Sequence, residues 1–294
     1  MCGIRCAWAM AAFALCGMVA TAGWGEVITT GDTKDDGSYF YAGYHTTGDL
    51  WIDAGSVFSR LYGCLGYATG STGSAVITGA GSMWLTSNSL YVGYSGSGRL
   101  MVFGGNLVSA QTLYASLSDL YGSGWITARG GVLDADLSFD KAHGLTQTLA
   151  FGSGGTLQFT IDARSNLGIG YKQSGSLRIA DGRSVASTTG FLGYHFHSSG
   201  AATVTGAGSK WTNSDNLYIG KDGRGTLTVS DGGQVTARDL NINSQSTVRV
   251  HVSGDRMLVL MAGNISNNGK LSLLADAFLP GGRIGRLWSM RIGR

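Results

Sequence analysis

The feature that most constrains this chain is an internal duplication. Residues 79–113 read GAGSMWLTSNSLYVGYSGSGRLMVFGGNLVSAQTL, and residues 206–240 read GAGSKWTNSDNLYIGKDGRGTLTVSDGGQVTARDL. The two stretches align without a gap at an offset of 127, with 17 of 35 positions identical. The kept positions are mainly Gly, Leu, Val, Ala, Trp84/Trp211 and Tyr91/Tyr218, while most changed ones are polar, such as Ser97/Arg224 and Gln111/Arg238. Core and turns persist and the surface drifts. The offset extends upstream, since Gly43-Tyr44 matches Gly170-Tyr171 and Leu50-x-Ile52 matches Leu177-x-Ile179.

A shorter period lies inside the long one. Apolar pairs of the form Leu-x-Val end at Ile52, Ile77, Val102, Ala128, Phe159, Ile179, Val204, Val229, Val250 and Leu273. Successive gaps are 25, 25, 26, 31, 20, 25, 25, 21 and 23 residues. Units of this size are too short for propeller blades and lack the helical period of ankyrin or tetratricopeptide units. Within one unit the order is Leu227-x-Val229, a turn at Asp231-Gly232-Gly233, Val235-x-Ala237 and Leu240-x-Ile242. Three short strands per unit predict an all-β chain, a right-handed parallel β-helix (β-solenoid) of about ten coils. Leu227 and Val229 should then face inward and Thr228 outward.

Composition agrees with this. The chain has 49 Gly, one Pro and only 13% charged residues, against 43% hydrophobic. Many turns between short strands account for the Gly, and the apolar content argues against disorder. The net charge of +3 comes from the ends: Arg5, Arg283, Arg286, Arg291 and Arg294 are five of 21 basic residues, leaving 16 against 18 acidic ones. A nucleic-acid binder needs a concentrated basic face, so no nucleic-acid partner is expected.

The N-terminus reads as an export signal. Arg5 precedes an apolar stretch from Ala7 to Val19, followed by Ala20-Thr21-Ala22, which predicts a signal peptide over 1–22 with cleavage after Ala22. Residues 23–40 are expected to cap the first coil, 41–275 to form the repeat domain and 276–294 a basic tail. No integral membrane span is expected after cleavage. Three of the four cysteines, Cys2, Cys6 and Cys16, fall in the leader. Cys64 then has no internal disulfide partner and is read as a small buried residue.

The repeat words Val204-Thr-Gly-Ala-Gly-Ser-Lys-Trp211, Asn216-Leu-Tyr-Ile-Gly220 and Gly225-Thr-Leu-Thr-Val-Ser-Asp-Gly-Gly-Gln-Val235 resemble the repeat shared by type V secretion (autotransporter) passengers and PEP-CTERM surface proteins. The copy at 76–108 is similar, one at 166–185 is partial, and the resemblance covers most of residues 40–242. It implies export by a Gram-negative-type bacterium and a β-solenoid passenger, secreted or held at the cell surface or in extracellular matrix. Neither the membrane barrel of the first group nor the Pro-Glu-Pro motif and apolar span of the second is recognised in these residues, although the basic tip is shared.

Candidate chemistry is sparse. Asp134 and Asp136, two apart with Asp140 nearby, would share a strand face and could supply paired carboxylates for glycoside cleavage or Ca²⁺ binding; a polar outer face is the simpler expectation. His195 and His197 could hold a metal from one face, but their repeat equivalents, Ala68 and Gly70, are not ligands. Asp222-Gly-Arg-Gly225 and Asp231-Gly-Gly233 are read as turns, because the nine-residue calcium period is missing. Gly79-Ala-Gly81 and Gly206-Ala-Gly208 precede no helix that could hold a phosphate. Trp51, Trp84, Trp125 and Trp211 could stack on sugars, although the equivalence of Trp84 and Trp211 favours a structural role. The expectation is a non-catalytic structural or adhesive protein with no catalytic, metal or cofactor-binding residues, touching polysaccharide, matrix or a cell surface. The alternative is a carbohydrate-active β-helix enzyme of the pectinase type.

Overall fold

In the computed structural model, which describes residues 25–252 and 259–275, the chain is a parallel β-solenoid of about nine turns. The leader with its cleavage site and three cysteines, and the basic tail, lie outside the described residues. Among the described residues no helix is long and apolar enough to cross a membrane.

Each turn contributes one strand to each of three faces. On the first face Thr47–Asp53, Thr72–Ile77 and Ser97–Val102 stack in parallel with Leu50, Ala75 and Leu100 in one column and Ile52, Ile77 and Val102 in the next. All six are buried. The same holds in the second half, where Leu177, Ala202, Leu227 and Val248 form one inward column. Leu227 and Val229 are fully buried, and Thr228 between them is not, as strand alternation requires. No single coil encloses these side chains. Each is covered by the coil above and the coil below, so the interior is one continuous apolar cluster from Phe40 to Val250.

The first coil is covered by chain running the other way. Glu26–Gly31 pairs antiparallel with Thr47–Asp53, and Thr33–Asp35 pairs antiparallel with Tyr39–Ala42. The strand Tyr39–Ala42 already belongs to the parallel stack, so the stack begins two residues before the boundary expected from sequence.

The duplication is repeated at atomic detail. Ser71 Oγ donates to the Ala68 carbonyl at 2.8 Å, and Ser198 Oγ to the His195 carbonyl at 2.7 Å. Ser82 Oγ accepts from Gly55 N at 3.1 Å, and Ser209 Oγ from Gly182 N at 3.0 Å. At the corner between third and first faces, Gly66 has φ +69° and Gly193 φ +68°. A Cβ there would lie 2.1 Å from the Ser97 carbonyl oxygen or 2.2 Å from that of Arg224. Only glycine meets both demands.

The irregular gaps of 31 and 20 residues mark a break in the stack. The pairs ending at Ala128 and Phe159 are in register with each other on the second face, whereas the other apolar pairs sit on the first. The first-face ladder stops at Leu120–Gly122 and restarts at Asp136–Phe139. The intervening chain makes a hairpin, Thr146–Phe151 antiparallel to Gly155–Thr160, whose tip reaches back so that Ser153 N donates to the Gly122 carbonyl at 3.0 Å. The third face is unbroken, because Gly131–Leu133 pairs with both Leu107–Ala115 and Leu167–Ile169.

Trp84 and Trp211 occupy equivalent core positions and are fully buried, as core residues rather than sugar platforms. Trp211 Nε1 donates to Ser187 Oγ at 3.2 Å; Trp84 Nε1 has no partner, because the position of Ser187 is held by Arg60, which turns out to Asp35. Trp211→Phe should therefore cost more stability than Trp84→Phe, by about 1 kcal/mol, the net value of one buried hydrogen bond. Denaturant titration of the two variants checks this, and equal losses would contradict it.

Candidate functional site

Single strands carry the chain from the second face to the third. Met83–Val92 and Leu107–Ala115 bend between the two, and in the pairing of these strands the register shifts between Ala110 and Thr112. The outside of this bend is a concave crease of about 600 Å³. Ser109, Thr127 and Gln158 stand in one register column along it, one per coil, on Leu107–Ala115, Trp125–Ala128 and Gly155–Thr160. Adjacent coils are about 4.8 Å apart, which makes the column a ladder of hydroxyl and amide groups at the strand spacing. The small side chains of Ala110 and Ala128 keep the lining shallow, and Gln111 and Arg129 line it beyond the bend.

These polar groups are held by neighbours. Gln111 Nε2 donates to the Arg164 carbonyl and to Ser165 Oγ, both at 3.2 Å. The Arg129 guanidinium lies 3.5 Å from Asp162. At the equivalent bend of the second half, Arg238 replaces Gln111 and is paired with Asp215 and Asp239. None of the described residues lining the crease is a carboxylate.

Asp134 and Asp136 do not share a strand face as expected. Asp134 lies at a corner, before the strand Asp136–Phe139 begins, where it accepts from Ser116 Oγ and, at 3.1 Å, from Lys172 N. Asp136 points outward on the strand and accepts from Ser176 Oγ at 2.6 Å. Asp140 closes a third, separate turn by accepting from the backbone of Ala142 and His143 and from the His143 ring. The physical reason is the corner: the chain turns at 134–135, so spacing by two no longer means one side.

His195 and His197 are likewise in a corner loop between Gly190–Leu192 and Ser199–Thr205. His197 is exposed with φ +69°, whereas His195 turns in against the rings of Tyr171 and Tyr194 at 4.8 and 5.0 Å. Its Nε2 is buried without a partner. Burial, then the charges of Lys172 and Lys221, push its pKa down to about 4. Lys172 spans the break, donating to the Gly96 carbonyl at 3.1 Å with Asp119 3.9 Å away, while Tyr171 Oη donates to the Gly93 carbonyl at 2.9 Å. Burial lowers the Lys172 pKa and raises that of Asp119. Among the described residues no three His, Cys, Asp or Glu side chains stand together as a metal site.

The remaining candidates resolve simply. Asp231 and Gly232 are both left-handed, with φ +54° and +85°, and form a turn. Asp222 occupies the corner beside Tyr194 and His195. Trp51 and Trp125 are exposed on the first and second faces. Cys64 is buried, in register with Tyr41 and Tyr91 on the outward side of the third face, and burial raises its pKa to about 12. No protein-family model, curated protein or solved structure matches the chain.

Two predictions follow from the corner groups. His195 has a folded pKa below its unfolded value of about 6.5, so the unfolded chain takes up the proton first as pH falls. Stability contributed by neutral His195 is present above pH 6.5 and is lost between there and about pH 4. Thermal melts across this window should show a fall that His195→Gln reduces. Asp134→Ala, which leaves the Lys172 N–H and Ser116 hydroxyl without their acceptor, should cost about 1–3 kcal/mol, measured by denaturant unfolding.

Proposed function

We propose that this protein is an exported, non-catalytic rod with a structural or adhesive role at a bacterial cell surface or in extracellular matrix, and that it holds polysaccharide along the crease between its second and third faces. The reading rests on one observation: the Ser109–Thr127–Gln158 ladder repeats a hydrogen-bonding group at the coil spacing in an open groove without a carboxylate in its lining. A polymer lying along the rod would meet one such group per coil. Individually weak contacts add up when they are linked in one chain. Export and surface location rest on the leader and on the resemblance to passenger repeats.

A carbohydrate-cleaving enzyme requires an acid and a base that converge on one substrate. Asp134, Asp136 and Asp140 each serve a different local partner, which favours the binding reading. Affinity electrophoresis in gels containing a β-1,4-glucan or a polyuronate tests it. Retardation should be seen and should be reduced at least several-fold by the double variant Ser109→Glu, Thr127→Glu, which places like charges one coil apart in the ladder. Release of reducing ends from either polymer, lost in Asp134→Ala while the fold persists, would reject the non-catalytic role.

A further inference from the structure

The duplication supplies an internal control for every surface position. On the outward side of the first face, Ile28, Trp51, Val76, Met101 and Tyr121 form one register column across five strands. At the equivalent positions of the second half, Trp51 becomes Arg178, Val76 becomes Thr203, Met101 becomes Thr228 and Tyr121 becomes Arg249. The interior columns of the two halves stay apolar. Only the outward column differs, apolar in one half and polar in the other. Trp51 and Tyr121 remain 40% and 37% exposed, an uncovered apolar stripe on a sheet that otherwise obeys alternation.

The column beside the stripe identifies what fits it. Asp49, Ser74 and Arg99 are in register on three successive strands. Neither Asp49 nor Arg99 belongs to an ion pair among the described residues. A two-fold axis in the plane of contact, parallel to the strand Thr72–Ile77, reverses the order of coils and preserves position along each strand. It therefore sets Asp49 of one copy against Arg99 of the other, twice. It also sets Trp51 against Met101 and Val76 against itself. On one side of that axis is a hollow of about 150 Å³ bordered by Ile28, Trp51 and Val76. On the other side are Met101, whose flexible thioether adapts to such gaps, and Tyr121, over whose ring Arg99 lies at 4.9 Å. Charge and shape are both self-complementary, as a two-fold interface requires.

We propose that this stripe is the contact for a second copy of the same chain, giving an antiparallel pair of rods joined through their N-terminal halves. Five strands about 4.8 Å apart and about 20 Å long present roughly 500 Å² per copy, less than the roughly 800 Å² of a standard interface. The pair is thus of the weak, concentration-dependent kind. It leaves the crease, on the second and third faces, open.

Sedimentation velocity of the full chain from about 1 to about 300 µM should show monomer passing to dimer. Asp49→Arg or Arg99→Asp alone should weaken association at least tenfold. An equimolar mixture of the two single variants should associate again, because each mixed interface regains both opposite-charge contacts. The double variant Asp49→Arg, Arg99→Asp should self-associate like the original. Trp51→Arg, which copies the residue that the same coil carries at Arg178 and so suits the fold, should be monomeric. A chain that stays monomeric throughout, as it would if the stripe served another partner, overturns the proposal. So does a dimer insensitive to Trp51→Arg, or single variants whose mixture fails to associate.

Discussion

A coil of two dozen residues cannot enclose its own apolar side chains, and the rest of this structure depends on that. Leu50 and Ile52 are fully buried only because Ala75 and Ile77 lie over them in register, and these in turn need Leu100 and Val102. Stability is consequently a property of neighbouring coils rather than of any one. The requirement falls on inward positions and on corners. Inward positions must be apolar, and corners such as Gly66 and Gly193 must let the backbone turn left-handed against the next coil. Outward positions carry no such demand. That is why 127-residue copies keep Trp84 and Trp211 while exchanging Met83 for Lys210 and Leu107 for Gln234.

The break between the halves shows how the stack tolerates an irregular unit. The first face loses its ladder between Leu120–Gly122 and Asp136–Phe139, and an antiparallel hairpin is inserted beside the second. Continuity is kept by the third face and by two long-range contacts, Tyr171 to Gly93 and Lys172 to Gly96. The corner residues of the interrupted coils are Ser116 and Asp134 in place of Gly-Tyr, and the Tyr171 and Lys172 side chains reach past them to the earlier coils. Burial of His195 without a partner for Nε2 belongs to the same crowded corner.

Much of this was legible from residues alone, and the limits have physical causes. Inward columns were readable because strand alternation has a period of two and the units repeat, so Leu227 and Val229 could be assigned without coordinates. The hairpin was visible only as unequal gaps, 31 then 20, because an antiparallel strand carries the same alternation as a parallel one. The site was much less legible. Spacing by two placed Asp134 with Asp136, and His195 with His197, on the assumption of straight strands; both pairs straddle or occupy corners, where the rule fails. The crease escaped notice because Ser109, Thr127 and Gln158 are 18 and 31 residues apart and become neighbours only through the registers Ser109↔Thr127 and Thr127↔Gln158.

The two halves also separate what the fold requires from what it merely permits. An apolar residue kept at both copies, such as Val102 and Val229, is explained by burial alone. An apolar residue found at only one copy, in an outward position, is not, because the other copy demonstrates that Arg178 or Thr228 suits the same coil geometry. Exposed aromatic surface costs solvation free energy, at roughly 25 cal/mol for each Å² of apolar area left in water. Trp51 and Tyr121 incur that cost without returning anything to the interior. Their role therefore belongs to the outer surface, and the order Asp49, Ser74, Arg99 beside them gives that surface a direction that a polar ladder of uniform composition would lack.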